Sequence, residues 1–367
     1  MRLAFDYQAF HLQAYGGISR YFARLAQGLL GFDQQVRIFA PLYRNRYLGE
    51  LPQGVVRGRY VSQYPARTGS LLDVYNRLGA RLAMARWVPD VVHETYYSTK
   101  AIASAAKPVV VTVFDMIHEL FSHDFPAGDE TSRRKRLAVE RADHVICISE
   151  STRRDLLRLF DLPEYKVSVV HLGFDPSTAG QGGPGFRTPS GRPFILYVGV
   201  RGGYKNFVGL LRTIGSSNRL REDFDVVAFG GGAFTPDELQ SIAGAGLPQS
   251  QIIQVSGDDE LLSRVYSAAR VFVYPSLYEG FGIPPLEAMA HSCPVVCGNT
   301  SSLPEVVGDA AELFDPSDDG ALRAAIERVV YSDSAIAGLR NLARHRVQRF
   351  SWQTCANETL RVYQNLA

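Results

Sequence analysis

The chain has 367 residues, too many for one ordinary core, and so points to two domains. Its 46% hydrophobic and 21% charged residues describe a globular protein, and a formal net charge of +2 argues against a nucleic-acid partner. No apolar run reaches the roughly 18 residues that span a bilayer.

The start, MRLAFDYQAF, reads as a strand and not as a signal peptide, because its apolar run is short and broken by Asp6. Gly16-Gly17 then opens a helix with Ile18, Tyr21, Phe22, Leu25 and Leu29 at helical spacing. VRIFAPL, VPDVVHETY, PVVVTVFD and DHVICIS follow as strands. Their near-continuous Val/Ile runs indicate burial on both faces, hence a parallel sheet. SESTRRDLLRLF is a helix capped by Ser149 or Ser151, and KVSVVHLGF is the last strand of this half. Residues 176–193 are dominated by Gly, Pro, Ser and Thr and read as a linker or hinge.

A second alternation follows: PFILYVGV, FDVVAFGGG, IIQVSG, VFVYPS and PVVCG as strands, separated by helices. The expected architecture is α/β, two Rossmann-like doubly wound domains spanning 1–180 and 181–352. Their strand carboxyl ends are expected to face each other across a cleft that takes a ligand.

Charge is uneven along the chain. Residues 1–180 hold 23 Lys+Arg against 18 Asp+Glu, and the remainder 16 against 19. A mildly basic first half suits an anionic membrane or substrate, although ordinary surface variation explains it equally well. Within it, Arg133, Arg134, Lys135 and Arg136 form a basic run that reads either as a solvated helix face or as a contact for anionic head groups or a pyrophosphate. Cys147, Cys293, Cys297 and Cys355 lack metal or disulfide spacing and read as reduced thiols of a cytoplasmic protein.

The stretch PSLYEGFGIPPLEAMAHSCPVV (275–296) carries the chemistry most visibly. It reads strand, loop, helix. Gly280-Phe281-Gly282 allows close backbone approach, and Pro284 or Pro285 starts the helix, whose free first-turn N–H groups suit anionic or hydroxyl-rich ligands. Glu287, one turn in, can accept two hydrogen bonds from a vicinal diol such as a ribose. Glu279 precedes the loop and can bind another hydroxyl. In ILYVGVRGGYKNFVGLL, Arg201 and Lys205 at a strand–helix junction suit a diphosphate.

The Glu279-GFGIPPL-Glu287 pattern, with seven residues between the glutamates, resembles the signature of retaining glycosyltransferases of the GT-B fold, family GT4. The likeness continues through AMAHSCPVVCGNTSSLPEVVGDAA, where Ser292-Cys293 replaces a usual glycine region, and covers nearly the whole chain. It implies a nucleotide-sugar donor, with Arg201, Lys205, Asn206, Tyr278, Glu279, Gly280, Phe281, Gly282, Glu287, Ser302 and Leu303 on the donor. Gly16 and Gly17 would form a cleft-lining loop, and His118 would contact the donor sugar. Of these, His118, Glu279, Arg201 and Lys205 would be catalytic.

The resemblance also implies that the last helix, 353–367, returns to the first domain. FDYQAF, GGISRYF and VFDMIHELF resemble bacterial mannosyltransferases of O-antigen or capsular polysaccharide synthesis. That implies GDP-mannose, a lipid-linked or oligosaccharide acceptor, and contact with the inner face of the cell membrane. UDP-sugar donors and a non-catalytic sugar-nucleotide binder stay open.

His93 is a second, acceptor-side candidate, and His171 reads as structural. Asp115 shares the strand end of His118. FGGG (229–232) fails as a dinucleotide fingerprint, since the third glycine would fall at Thr235. Asp223-Phe224-Asp225 spells a DxD metal motif but introduces a strand instead of ending one, so neither a catalytic metal nor a cofactor is expected.

Overall fold

The computed structural model describes residues 1–102, 107–175 and 185–367. Part of the expected hinge, residues 176–184, lies outside them. The chain divides into two compact units, Met1–Gly173 with Ser351–Ala367, and Phe174–Phe350.

The first unit holds a seven-stranded sheet of β1 (Arg2–Phe5), β2 (Gln35–Tyr43), β3 (Val56–Tyr60), β4 (Val91–Glu94), β5 (Val109–Val113), β6 (His144–Cys147) and β7 (Val167–Val169), in the order β3-β2-β1-β4-β5-β6-β7. The second holds β8 (Phe194–Val198), β9 (Asp225–Phe229), β10 (Ile252–Val255), β11 (Val271–Tyr274), β12 (Val295–Gly298) and β13 (Glu312–Phe314), in the order β10-β9-β8-β11-β12-β13. Every pairing is parallel. In each sheet the order reverses once, between β1 and β4 and between β8 and β11. Such a reversal opens a crevice at the strand carboxyl ends, because the flanking loops leave in opposite directions.

The Val-rich strands β5, β11 and β12 are buried along their full length, as their runs predict. The Trp352–Gln364 helix packs into the first unit's core through Cys355, Ala356, Leu360 and Tyr363. Close approach there depends on small residues: a Cβ on Gly28 would lie 2.5 Å from that of Ala356.

Three local readings need correction. The opening strand stops at Phe5 and a helix, Gln8–Leu12, follows. Asp6 ends it by turning its buried carboxylate inward, where it accepts from Gln8 and Thr95. Strand β3 and the Gly69–Trp87 helix were not foreseen. The last strand of the first half is only Val167–Val169.

His93 is not an acceptor residue. It is 1% exposed, with Nδ1 2.6 Å from the Tyr363 hydroxyl and Nε2 2.9 Å from Thr112 Oγ1. It ties the C-terminal helix to the sheet. Burial pushes its pKa down to about 3. The unfolded chain therefore binds a proton near pH 6.5 that the folded chain refuses, so this group favours folding above that pH and costs stability as pH falls. Between pH 7 and pH 5 wild type should lose about 2 kcal/mol more than His93→Asn, as read by urea unfolding. Buried Glu94, raised to about 7 by burial against the pull of Arg141, titrates in both proteins and cancels.

Candidate active site

In the second unit the two loops that leave the switch-point strands meet. After β8, Gly199 turns with φ +130 and the chain passes through a 3-10 turn, Gly203–Lys205, to Asn206 in the left-handed region. After β11 comes the loop 275–282. The Leu277 N–H donates to the Tyr204 carbonyl at 2.8 Å and joins the two loops. Lys205 Nζ then donates to both oxygens of Glu279, at 2.7 and 2.9 Å, and approaches the Tyr274 hydroxyl at 3.4 Å. The pair is largely shielded, its side chains 16% and 9% exposed. An ammonium has three N–H donors. Two serve Glu279, and the third contact is long, which leaves capacity for a phosphate oxygen.

The glutamate loop is held rigidly. The Glu279 N–H donates to Ser301 Oγ at 2.9 Å, and Ser302 Oγ lies 2.8 and 2.7 Å from the carbonyls of Glu279 and Phe281. Gly282 has φ +119, where a Cβ would be strained and would lie 2.9 Å from the Leu303 side chain. The Ile283–Ala290 helix starts there, with prolines at its head. Glu287 is half-buried in that helix, and the buried Tyr266 hydroxyl donates to its Oε2 at 3.2 Å. Burial and Glu287 together hold the Tyr266 phenol far above its usual range, so it stays a donor.

Some expected ligands turn out to be scaffolding. Ser302 and Leu303 are fully buried beneath the loop, so their side chains position it and do not face a ligand. Phe281 packs edge-on against Phe350, leaving its backbone for contact. Tyr278 is buried, and Asn206 half-buried.

Arg201 is the largest departure. Its side chain is 1% exposed. Nε donates to Glu238 at 2.7 Å, and the terminal nitrogens donate to the carbonyls of Gly230, Gly231, Gly232 and Ala233 and to the second oxygen of Glu238. The guanidinium is the hub of the FGGG turn, whose three glycines all have positive φ. A Cβ on Gly231 would lie 2.5 Å from Arg201 Nη1. The Arg201 guanidinium is thus engaged in shaping this loop.

In the first unit, His118 sits on the short Ile117–Leu120 helix, stacked on Phe125 at 4.0 Å with Nε2 4.0 Å from Asp129. Its Nδ1 is buried without a hydrogen-bond partner among the described residues. A pocket of about 380 Å³ opens beside it, lined by Ser122, Phe125, Asp129, Ser132 and Arg136 among others. Asp115 caps the turn by accepting from the Ile117 N–H. Gly16 and Gly17 begin the Gly17–Gly31 helix, and Asn45 pins the preceding turn through Ser19 and the carbonyls of Gln13 and Ala14.

Each cation of the basic run 133–136 lies beside a glutamate, with Glu130 shared by two. Arg133 and Arg134 pair with Glu130 at 2.7 Å, Arg136 lies 3.9 Å from Glu140, and Lys135 is buried on Glu119 at 2.7 Å. Asp225 is buried and paired with Arg192, and Asp223 accepts from Tyr331, so both carboxylates of the DxD serve the fold. No cluster of metal ligands occurs among the described residues.

Two family models cover most of the chain: "Glycosyltransferase Family 4" over residues 15–178 and "Glycosyl transferases group 1" over residues 185–346. An alpha-maltose-1-phosphate synthase of Mycobacterium tuberculosis is 30% identical over 350 residues, 84% of this chain and 88% of that protein. The chain belongs to glycosyltransferase family 4.

An O-antigen chain mannosyltransferase B of Escherichia coli is 34% identical over 241 residues, a match spanning 62% of this chain and 62% of that relative. Among solved structures, a sucrose-phosphate synthase from Thermosynechococcus elongatus superposes with TM-score 0.71 at 19% identity, covering 100% of this chain and 98% of that one. The fold of this family 4 enzyme is thus the two-domain GT-B fold. The Lys205–Glu279 pair occupies its second unit's switch point. The matching place in the first unit, between β1 and β4, is closed by Asp6 hydrogen-bonded to Thr95 and Gln8. Sequence reasoning missed Ser301, Tyr266, Tyr274 and Glu238. The positive φ of Ser301 has no signal in its residue type. Glu238 did have one, the Thr235–Glu238 capping box that opens the Pro236–Gly244 helix.

Proposed function

We propose that this glycosyltransferase moves mannose from GDP-mannose to a hydroxyl of a lipid-linked or oligosaccharide acceptor in bacterial surface polysaccharide synthesis, with retention at the anomeric carbon. The observation that carries the donor half is the ammonium–carboxylate pair at the switch point of the second unit. A nucleoside diphosphate brings two negative phosphates and a ribose diol. Lys205 stabilises the charge that grows on the leaving diphosphate, in a shielded site where such contacts count most. Glu279 holds that ammonium in place and offers an acceptor to a sugar hydroxyl. Glu287, oriented by Tyr266, accepts from the ribose hydroxyls.

We favour front-face attack, with the departing phosphate taking the acceptor proton. His118, at the edge of the pocket that it helps to line, contacts the donor sugar in this reading, and the first unit carries the acceptor surface. Mannose rests on the relationship to the O-antigen mannosyltransferase. The longer match to a maltose-1-phosphate synthase favours, as a second reading, a glucosyl donor.

Purified protein incubated with GDP-mannose and an oligomannoside acceptor, followed by NMR of the product, tests this. An α-linked mannose is expected. A β-linkage, or turnover of a glucosyl donor only, overturns it. In the same assay His118→Ala should lower kcat by about 10- to 100-fold, the scale of a contact to the reacting sugar.

A further inference from the structure

Tyrosines gather around the carboxyl ends of β2 and β3 in the first unit. β2 ends at Tyr43 and β3 at Tyr60, and these two rings meet edge-on at 5.9 Å. Tyr15, just before Gly16-Gly17, meets Tyr47 in the same way at 5.4 Å. Arg46 joins the two pairs. Its guanidinium lies 5.7 Å from the centroid of the Tyr15 ring, and its charge acts on the hydroxyls of both Tyr15 and Tyr60. A second cation, Arg44, lies 5.8 Å from the centroid of Tyr64, four residues after β3. Tyr15 and Tyr60 are 55% and 42% exposed, although a large ring ordinarily gains by burial.

The segments that carry these rings are laced together. The Arg46 N–H donates to the Ala14 carbonyl at 3.0 Å, and the Val61 N–H to the Tyr43 carbonyl at 2.8 Å. Asn45, between the two arginines, donates to the carbonyls of Gln13 and Ala14 and to Ser19 Oγ, and accepts from the Tyr47 N–H at 3.1 Å. The rings are thus set before a ligand arrives, which lowers the ordering cost of binding. Acidic residues are sparse here. The stretches 7–32, 34–49 and 51–72 contain none, and Glu50 lies 3.7 Å from Arg24.

We propose that this tyrosine row is a distal acceptor subsite, which holds the neutral hexose rings that precede the one receiving the new sugar. A pyranose presents a face of C–H groups ringed by hydroxyls. Phenol rings take that face, while guanidiniums and phenolic hydroxyls bond the rim. In an edge-on pair one ring spends its edge and the other a single face, so further faces stay open to a ligand. A polyanion is a poorer occupant, because rings outnumber cations and both arginines already lie against rings. A second copy of the chain is poorer too, because an isologous contact sets like cations against each other. Tyr15 ends the row beside Gly16-Gly17, the loop that the family resemblance places at the site. The proposal rests on the sugar-transfer reading for its ligand class and adds a preference for long acceptors over short ones.

Calorimetric titration without sugar nucleotide tests it, with α-linked oligomannosides and maltooligosaccharides from monosaccharide to pentasaccharide. In at least one series wild type should bind the pentasaccharide about tenfold or more tighter than the monosaccharide. Tyr15→Ala/Tyr60→Ala should lose about tenfold on that pentasaccharide and nothing on the monosaccharide. Tyr15→Phe/Tyr60→Phe should stay within about threefold of wild type, since stacking survives without the hydroxyls. Both variants should unfold thermally like wild type, because these rings are exposed. In the transfer assay the alanine variant should raise KM for the long acceptor about tenfold and leave kcat unchanged. No gain with length in either series, equal binding by the alanine variant, or a dimer in sedimentation velocity that this variant abolishes would overturn the assignment. Transfer to short and long acceptors with one KM would also overturn it, while leaving the sugar-transfer reading intact. Failure of GDP-mannose as donor leaves the titration untouched.

Discussion

Lys205→Met is expected to lose about 100- to 1,000-fold in kcat for sugar transfer, the scale of removing one aimed donor from a developing oxyanion. It should also lose about 3 kcal/mol of folding stability, because Glu279 remains as a shielded carboxylate without its cation. The two losses are separable. In Lys205→Met/Glu279→Gln the orphaned charge is gone, so stability should return by most of that amount. Activity should not return, since the leaving diphosphate still lacks its ammonium. Urea unfolding and steady-state kinetics on both variants check this. Recovery of activity along with stability would make Lys205 a scaffold residue only.

Glu287→Ala is expected to weaken nucleoside diphosphate binding by about 2–3 kcal/mol, or roughly 30- to 150-fold, the worth of one or two hydrogen bonds to a charged acceptor. The decisive comparison uses an analogue without ribose hydroxyls. Wild type and variant should bind the 2′,3′-dideoxy diphosphate alike, because the only groups that Glu287 serves are missing. Tyr266→Phe should produce a smaller loss, about 1 kcal/mol, as Glu287 keeps its charge but loses the hydroxyl that orients it. Calorimetric titration of the three proteins with both nucleotides measures these differences. Equal loss of both nucleotides in Glu287→Ala would place the carboxylate on the phosphates' side or in the fold.

Much of the architecture is readable in the residues. VVVTV and VFVY cannot be anything but doubly buried strands, since every side chain is apolar or small and β-favouring. β3 was unreadable for the opposite reason. VRGRY is a polar edge strand whose pairing comes from β2 and not from its own pattern. The Gly69–Trp87 helix hid because apolar residues on both faces blur helical periodicity. At the site, Glu279 and Glu287 were legible because loop glycines and helix-starting prolines fix where the intervening backbone goes. Lys205 was legible as a cation after a strand, but its partner was not, since Glu279 lies 74 residues away and only the switch point unites them.

Arg201 shows what side-chain type alone leaves open. A guanidinium suits phosphate oxygens and clustered carbonyls alike, since both offer several acceptors to its planar fork of donors. The deciding feature is Gly230-Gly231-Gly232, where missing side chains make room for the guanidinium and positive φ turns successive carbonyls toward it. Arg201 and the FGGG turn therefore belong to one structural unit.

The most direct measurement offers the protein an equimolar mixture of GDP-mannose, UDP-glucose, UDP-galactose and UDP-N-acetylglucosamine, with an oligomannoside acceptor. The nucleoside diphosphate released is then identified by mass spectrometry. Release of GDP, with a product heavier by one hexose, is the result this account predicts. Release of UDP in its place, or of no diphosphate from a folded protein, would contradict it.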